Sequence, residues 1–222
     1  MRRLIQKVAE LEGVKEVGVS ARSQLYLLLS DGFQVPDHEL HNDVSSGKFR
    51  EWILDAIEKL PYELNAPVST ELLTAEADYE EFNSEFMRLF EVGSPNPPCP
   101  LYESWYLGGQ KGIFKELVSF YNFFKLSVSE ARDLPDHLTL ELDFMHFLTF
   151  KEVEGIHAGV EPGSFTRASR DFLKRHPARW VPQLCRKVAD SESLEFYQGL
   201  TELLETFIGC EIRFLDGEQK KV

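Results

Sequence analysis

A predicted helix start near residue 102 combines aromatic, acidic and hydroxyl side chains in five consecutive positions. Tyr102, Trp105 and Tyr106 are spaced i, i+3 and i+4, which places them on one face of a helix. An aromatic face of this kind offers a peptide a large and rigid contact area. Glu103, with Ser104 next to it, can pair there with a basic side chain of the peptide. The alternative is that the aromatic side chains belong to the core and that Glu103 only stabilises the N-terminus of the helix.

A second polar segment, from Asp133 to Glu141, lies at the start of another predicted helix. Pro135 fixes the backbone, and Asp136 is predicted to be the N-cap of that helix. His137 and Glu141 are four residues apart and share a helical face. The pattern fits a helix cap, a binding site for a charged ligand or a catalytic acid–base pair. Catalysis also requires a nucleophile and an oxyanion site, for which the sequence offers no candidate, so we expect a cap with a binding role.

Two acid–histidine pairs raise the question of a metal site. Asp143 and His146, and likewise Glu154 and His157, have the i, i+3 spacing that di-iron four-helix proteins use. In those proteins the pairs lie on opposed helices, whereas here both fall on one predicted helix or its end, and Gly155 interrupts the second pair. A helical di-metal enzyme is therefore the alternative of a different class, and polar residues on a helix surface are the simpler interpretation. We expect no metal and no cofactor.

Apolar side chains recur at helical spacing along almost the whole chain. The helix from 137 to about 153 is apolar nearly all round, which predicts that it is buried at the centre of the fold. Four prolines between 95 and 100 predict an extended loop. The one non-helical candidate is a short strand over Val14–Val19. The pattern predicts an all-α fold, a single domain over residues 1–222 with about ten helices and a hinge near residues 131–135.

The composition restricts the class of protein. The chain has 222 residues, 43% of them hydrophobic, which is enough for a full core. Its formal net charge of -13 argues against nucleic-acid binding and favours a basic partner. No stretch reaches the ~20 apolar residues of a transmembrane helix, so we expect no membrane insertion. Three separated cysteines favour a reducing compartment, and no apolar signal segment follows Arg2 and Arg3, so the cytoplasm is the expected location.

Five motifs follow one another from about residue 20 to residue 208. They are Ala21–Ser30 with Phe33 and Pro36, Phe86–Phe90, Pro100–Ser104, Leu134–Leu138, and a C-terminal set of Phe172, Leu173, His176, Trp180, Phe196, Tyr197 and Leu200. In this order they resemble the TorD/DmsD/NarJ family of cytoplasmic redox-enzyme maturation chaperones. The chain departs from the family pattern at two places: Asp133 stands where Glu is common, and Ser94 separates Gly93 from the proline that usually follows it.

The resemblance implies a helical, TorD-like fold without enzymatic turnover. Such chaperones bind the N-terminal leader, commonly a twin-arginine signal, of the catalytic subunit of a molybdenum oxidoreductase. They hold the apoenzyme until its molybdopterin cofactor is inserted, and thereby delay export. The family also contains NarJ-like assembly chaperones whose clients have no twin-arginine leader, and this is the alternative within the same fold.

An acidic chain with an aromatic face suits a leader that has both arginines and an apolar segment. We expect Tyr102, Trp105 and Tyr106, with Ser104 between them, to contact the apolar segment. The arginines are expected to face the acidic residues Glu103, Asp133, Asp136 and Glu141, with His137 supporting Asp136. Since an exposed charge pair contributes only ~0.2–1 kcal/mol, apolar burial must supply most of the affinity while charge sets the register. A homodimer formed by exchange of helices across the hinge is a further expectation.

Overall fold

The computed structural model describes residues 14–126 and 134–217, and within these ranges the regular structure is helical. The α-helices are α1 (Val14–Gly32), α2 (His38–Ser45), α3 (Lys48–Glu58), α4 (Tyr79–Phe86), α5 (Glu103–Leu107), α6 (Gln110–Phe123), α7 (Leu138–His157), α8 (Gly163–Arg175), α9 (Pro177–Ala189) and α10 (Glu195–Leu215). A 3-10 turn at Thr70–Leu72 and a π turn at Met87–Glu91 add to them. The predicted all-α fold with about ten helices is confirmed. The predicted strand over Val14–Val19 is wrong, because these residues form the first turns of α1.

Helix α7 is the central helix and packs antiparallel against α1. Near the start of α7, the Ser30 hydroxyl donates a hydrogen bond to Asp143 at 2.7 Å. One turn further along α7, Ser23 Oγ lies 3.0 Å from His146 Nδ1. The buried residues of α7 lie on all sides of the helix: Leu138, Thr139, Glu141, Leu142, Phe144, Met145, Leu148, Thr149, Glu152 and Val153. The predicted buried central helix is therefore confirmed.

Two groups of packed aromatic rings fill much of the core. One group joins α1, α4 and α10 and consists of Phe33, Phe82, Phe86, Phe90, Phe196 and Tyr197. The other joins α6, α7 and α8 and consists of Phe120, Tyr121, Phe124, Phe144, Phe147 and Phe172. Because an aromatic pair adds ~0.5–1.5 kcal/mol beyond the burial of its area, the second group holds α6 firmly against α7.

A buried ionic cluster, here named the Arg22 cluster, ties α1 to α7 and α10. The Arg22 guanidinium donates to both carboxylate oxygens of Glu211, at 2.7 and 2.9 Å, and to Glu152 at 3.1 Å. Tyr26 and Tyr62 donate their hydroxyl groups to Glu211 at 2.9 and 2.5 Å. Burial lowers the pKa of Arg22, but the charges of Glu211 and Glu152 outweigh this and raise the pKa above its ordinary value. The guanidinium therefore stays charged and fixes three helices to one another.

The predicted hinge falls mostly outside the described residues, because residues 127–133 are not among them. Asp133, one of the predicted site residues, lies outside them as well. The described chain resumes at Leu134, whose side chain is 47% exposed. The next residue is anchored, since the Tyr121 hydroxyl donates to the carbonyl oxygen of Pro135 at 2.9 Å. This bond attaches the start of α7 to α6.

Candidate functional site

The two polar segments singled out in the sequence lie side by side in the structure. The backbone amide of Glu103 donates to the carbonyl oxygen of Asp136 at 3.0 Å, and the amide of Leu138 donates to the carbonyl of Leu101 at 2.8 Å. Tyr102 and His137 form an isolated antiparallel bridge between these two bonds. Residues 101–104 and 136–138 thus form one short paired unit. It sets where α5 begins relative to α7.

Asp136 caps a different helix from the one predicted. Its carboxylate accepts a hydrogen bond from the amide of Ser104 at 2.9 Å, so it caps α5 from across the paired unit. The N-cap of α7 is His137, whose Nδ1 accepts from the amide of Thr139 at 3.3 Å and lies 2.7 Å from the Thr139 hydroxyl. The prediction that Asp136 caps α7 is therefore wrong. The unsatisfied amides at the start of α5 take its carboxylate instead.

The acidic side chains of the site are buried. Glu103, Asp136 and Glu141 are all fully shielded from solvent. Glu103 Oε2 lies 2.8 Å from His176 Nδ1, and the indole N–H of Trp180 donates to Glu141 at 3.1 Å. These five residues are here named the Glu141 cluster. In this conformation none of its three carboxyl groups is presented to a peptide on the surface.

Glu103 and Glu141 also contact each other. The two carboxyl groups are close enough for the charge of Glu103 to act on Glu141, and the Oε1 atom of each has no hydrogen-bond partner within the part of the chain that the structure describes. Burial, and next the negative charge of Glu103, raise the pKa of Glu141 well above its ordinary value, although the bond from Trp180 opposes this. The folded protein therefore holds a proton on Glu141 to a higher pH than the unfolded chain does.

The aromatic residues of α5 divide between surface and core. Trp105 is 53% exposed, whereas Tyr102 and Tyr106 are half-buried. The Tyr102 ring meets His137 edge-on with centroids 4.8 Å apart, and the Tyr106 ring stacks on Trp180 at 5.3 Å. Helix α5 has only five residues, so the three rings do not form one exposed face. Trp105 is presented to solvent, and Tyr106 supports the helix from the core.

His176 and Trp180 are site residues that the chemistry of the sequence did not identify. They lie at the start of and within α9, more than 70 residues after Glu103, and no local spacing connects them with α5. They entered the sequence analysis only through the family pattern of the C-terminal helices. Their side chains complete the Glu141 cluster because α9 packs against α5.

Comparison with known proteins shows the family of this chain. The sequence model of the family described as "Nitrate reductase delta subunit" matches residues 57–186, more than half of the chain. The chain is 33% identical to the perchlorate reductase assembly chaperone protein of Dechloromonas aromatica, over 86% of its own length and 88% of that protein. The chain belongs to the TorD/DmsD/NarJ family of assembly chaperones.

Two further relatives carry names of the same kind. The chaperone is 37% identical to the selenate reductase assembly chaperone protein of Thauera selenatis, over 57% of its length and 68% of that protein. It is 25% identical to the chaperone protein TorD of Aliivibrio salmonicida, over 75% and 76% of the two chains. These relatives are assembly chaperones, so the prediction that the chain is not an enzyme is confirmed. The match over 57–186 contains the whole Glu141 cluster but neither Arg22 nor Glu211.

The alternative of a di-metal enzyme finds no support in the site. Asp143 accepts from Ser30, and His146 Nδ1 lies 2.9 Å from the carbonyl oxygen of Ser23. Glu154 pairs with a neighbouring lysine, and His157 is largely exposed. Across residues 14–126 and 134–217, no group of three or more His, Cys, Asp or Glu side chains could hold a metal ion. Over the same residues, no helix is long and apolar enough to cross a membrane.

A second aromatic surface lies in a groove between α6 and α8 that the sequence analysis did not identify. The groove has a volume of about 720 Å³ and is lined by Phe120, Phe123 and Phe124. Phe123 is 79% exposed. At one end of the groove, Arg175 forms an ion pair with Glu116. The chaperone therefore has two surfaces with an exposed aromatic side chain, Trp105 on α5 and Phe123 on α6.

Proposed function

We propose that this chaperone binds the N-terminal leader of the catalytic subunit of a molybdenum oxidoreductase in the cytoplasm. It then holds the apoenzyme until the molybdopterin cofactor is inserted, before export. The observation that carries the proposal is the position of Trp105. This exposed ring stands on a helix whose first turn is bonded to Asp136, two residues before the central helix begins, so the position of the ring is fixed.

Trp105 supplies the main apolar contact with the leader, and the exposed edge of Tyr102 adds to it. Tyr106 and Ser104 hold α5 in place. The ring of Tyr106 stacks on Trp180, and the backbone amide of Ser104 donates to Asp136. Aromatic anchors of this kind carry a large share of the energy in peptide interfaces. A fixed anchor also loses less conformational entropy when the peptide binds. Asp133 remains proposed as a direct contact.

Burial changes the role proposed for Glu103, Asp136 and Glu141. Pairing with leader arginines requires these carboxyl groups to be accessible, whereas all three are inside the protein. Their hydrogen bonds run to Ser104, His176 and Trp180. We therefore assign them, together with His137 as the cap of α7, to positioning the Tyr102–Tyr106 segment.

Titration calorimetry tests the proposal with a synthetic peptide of the first 30 residues of the catalytic subunit encoded beside this chain. We expect micromolar binding by the wild-type chaperone, weakened at least tenfold by Trp105→Ala, which corresponds to about 1.4 kcal/mol. The matched control is Phe123→Ala, which removes another exposed aromatic ring and is expected to change the affinity less than twofold. Equal binding by the wild type, Trp105→Ala and Phe123→Ala would show that the leader does not bind at Trp105 on α5. No binding to the leader would contradict the proposed function.

The alternative client is an enzyme without a twin-arginine leader, like the clients of the NarJ-like members of the family. The same titration separates the two clients when the peptide is also prepared with both arginines replaced by glutamine. A twin-arginine client requires the arginines for full affinity, whereas an alternative client binds through its apolar residues alone. Cofactor insertion is tested separately, by activation of the purified apoenzyme with molybdopterin in the presence and absence of the chaperone.

A homodimer formed by exchange of helices across residues 131–135 also remains part of the proposal. Light scattering after size-exclusion chromatography distinguishes the single chain of 25.6 kDa from a species of twice that mass. A single species of 25.6 kDa at all concentrations would contradict the dimer. That result would leave the leader-binding proposal unchanged.

A further inference from the structure

The groove between α6 and α8 runs along two antiparallel helices. At one end, the ring of Phe124 on α6 packs against Phe165 on α8, with centroids 5.6 Å apart. At the other end, Glu116 on α6 forms its ion pair with Arg175 on α8. Between residues 116 and 124 an α-helix rises by about 12 Å. The groove is therefore long enough for two turns of a further helix.

The base of the groove is apolar and partly open to solvent. Phe120 and Phe124 are half-buried, and Phe123 is largely exposed. The volume of about 720 Å³ lies within the roughly 300–1,000 Å³ of ligand clefts. Covering these rings with apolar side chains of a partner removes apolar surface from water, which is favourable. The groove thus offers an apolar contact for a partner.

The chain beside the groove is basic, although the protein as a whole is acidic. The formal net charge of the chain is -13, yet residues 163–187 of α8 and α9 include only one acidic side chain, Asp171. A concentration of positive charge attracts an acidic partner and repels a basic one. The basic side chains of this segment are Arg167, Arg170, Lys174, Arg175, Arg179, Arg186 and Lys187.

Two of the cations that line the groove have no anionic partner. Lys115 on α6 and Arg167 on α8 are exposed and form no ion pair within the described part of the chain. They lie on opposite walls and toward opposite ends of the groove. The other charges that line the groove are paired, Arg175 with Glu116 and Asp171 with its neighbouring arginine. Carboxylates of a partner therefore complement the two cations.

The shape of the groove favours a helix as the partner. Two of the three phenylalanine rings lie in the base between α6 and α8, and only Phe123 protrudes. A membrane surface contacts protruding side chains, whereas a groove between two helices receives the apolar face of a third helix. The anchors of such a helix recur at i, i+3 or i+4, and i+7.

We propose that this groove binds an acidic amphipathic helix of a protein partner. The apolar side chains of that helix lie on the three phenylalanine rings, and its carboxylates pair with Lys115 and Arg167. The inference goes beyond the proposed function, because a basic leader is repelled from this groove and binds at Trp105 instead. The chaperone then has separate sites for a basic and an acidic segment.

Calorimetry with synthetic peptides at low salt tests the inference. The probe is a helical peptide of about 18 residues, with leucine at i, i+3, i+7 and i+10 and glutamate on both flanks of that face. Matched peptides carry glutamine or lysine in place of glutamate. The chaperone is prepared as wild type, Phe123→Ser, Lys115→Gln and Arg167→Gln, and the control Lys48→Gln removes an exposed cation from α3. Thermal unfolding confirms that each variant is folded.

We expect Phe123→Ser to weaken binding of the glutamate peptide at least tenfold, because it removes the protruding apolar contact. Lys115→Gln and Arg167→Gln should each weaken it about threefold, the size expected of an exposed charge pair, and Lys48→Gln less than twofold. The glutamine peptide should bind the wild type about tenfold more weakly than the glutamate peptide, and the lysine peptide more weakly still. Arg167→Gln should leave the affinity for the glutamine peptide unchanged.

Equal affinity of the wild type for the glutamate and glutamine peptides, or no binding of either, would overturn the inference. Two further measurements identify other occupants. Sedimentation with phosphatidylglycerol vesicles that is lost in Phe123→Ser, without peptide binding, would assign the groove to a membrane surface. A smaller mass for Phe123→Ser than for the wild type in light scattering would assign it to a second copy of the chain. Leader binding is titrated separately, so its presence or absence tests the proposed function independently.

Discussion

Two buried polar clusters in this chaperone contain similar residues and balance their charge in opposite ways. In the Arg22 cluster, a guanidinium is paired bidentately with Glu211 and also bonded to Glu152. In the Glu141 cluster, three carboxyl groups meet one imidazole and one indole, and within the described residues no arginine or lysine bonds to them. There, burial and the charge of Glu103 raise the pKa of Glu141, which favours its neutral form.

This difference fits different roles for the two clusters. The Arg22 cluster holds helices together, and the Glu141 cluster has the positioning role proposed above. The Arg22 cluster joins α1, α7 and α10, and its arginine and Glu211 lie outside the range that matches the family model. The Glu141 cluster lies inside that range and is bonded to the segment that carries Trp105 through Asp136 and Ser104. Removing one partner of a buried ion pair is strongly destabilising, whereas a buried carboxyl group with a raised pKa responds to pH and can be replaced by a neutral amide.

The largest effect is expected for Arg22→Leu. Removing the guanidinium leaves Glu211 and Glu152 as buried charges without a cation, which costs about 3–5 kcal/mol of the free energy of unfolding. Since domains are stable by only about 5–15 kcal/mol, this loss removes a large share of the total stability. Urea denaturation followed by circular dichroism measures the loss. The control is Arg170→Leu, whose exposed pair with Asp171 contributes about 0–1 kcal/mol. Similar losses in both variants would contradict the structural role of the cluster.

Asp136→Ala is expected to have an intermediate effect. It removes the cap of α5, and cap losses amount to about 0.5–2 kcal/mol. We expect a similar decrease in the free energy of unfolding, together with weaker binding of the leader, because Trp105 is then held less firmly.

Asp136→Asn separates positioning from charge. Asparagine retains an oxygen that accepts from the amide of Ser104, so stability should stay within about 0.5 kcal/mol of the wild type and leader affinity within twofold. If asparagine reduced the affinity as much as alanine, the carboxylate would contact the leader by its charge and the positioning role would be wrong.

The helices of the fold could be predicted from the sequence, but their mutual contacts could not. Helical periodicity predicted most of the helices. For the buried helix it predicted residues 137 to about 153, and in the structure this helix runs from Leu138 to His157. The strand over Val14–Val19 was a wrong prediction because valines favour strands locally, whereas packing against α7 keeps this segment helical. Periodicity indicates which residues are buried, but not which distant helix they meet.

The candidate site was predicted less completely for the same reason. The motifs around 102 and 136 indicated the two segments that pair in the structure. No local pattern indicated that Asp136 caps α5, because a capping residue is normally assigned to the helix that follows it. His176 and Trp180 belong to α9, and only tertiary packing brings them to Glu103 and Glu141. Burial of the acidic residues depends on these distant partners.

Glu141→Gln is expected to stabilise the protein at neutral and higher pH. Burial and the charge of Glu103 raise the pKa of Glu141 in the folded state, so above its ordinary value of 4.5 the folded chain holds a proton that the unfolded chain releases. Stability from this group is therefore greatest at low pH and is lost as the pH rises. Glutamine is neutral at every pH and avoids this loss.

Urea denaturation at pH 5, 6.5 and 8 measures this effect. The free energy of unfolding of Glu141→Gln should be close to that of the wild type at pH 5 and should exceed it increasingly at pH 6.5 and 8. Glu161→Gln, an exposed change of the same kind, should show no such trend. A variant that becomes less stable than the wild type as the pH rises would contradict a raised pKa of Glu141 in the folded state.

The smallest effect is expected for Tyr106→Phe. This change removes one hydroxyl group from a ring that stacks on Trp180 of the Glu141 cluster. The Tyr106 hydroxyl is buried without a hydrogen-bond partner in the described structure, while its ring stacks on Trp180. Phenylalanine keeps the stacked ring, so the free energy of unfolding should stay the same or rise by up to about 1 kcal/mol, with leader affinity within twofold. Tyr26→Phe is the matched change in the Arg22 cluster and removes a bond to Glu211, so it should cost about 1.5–3 kcal/mol. Equal losses in the two variants would mean that the Tyr106 hydroxyl is bonded in solution, and that the support of α5 is as fully paired as the Arg22 cluster.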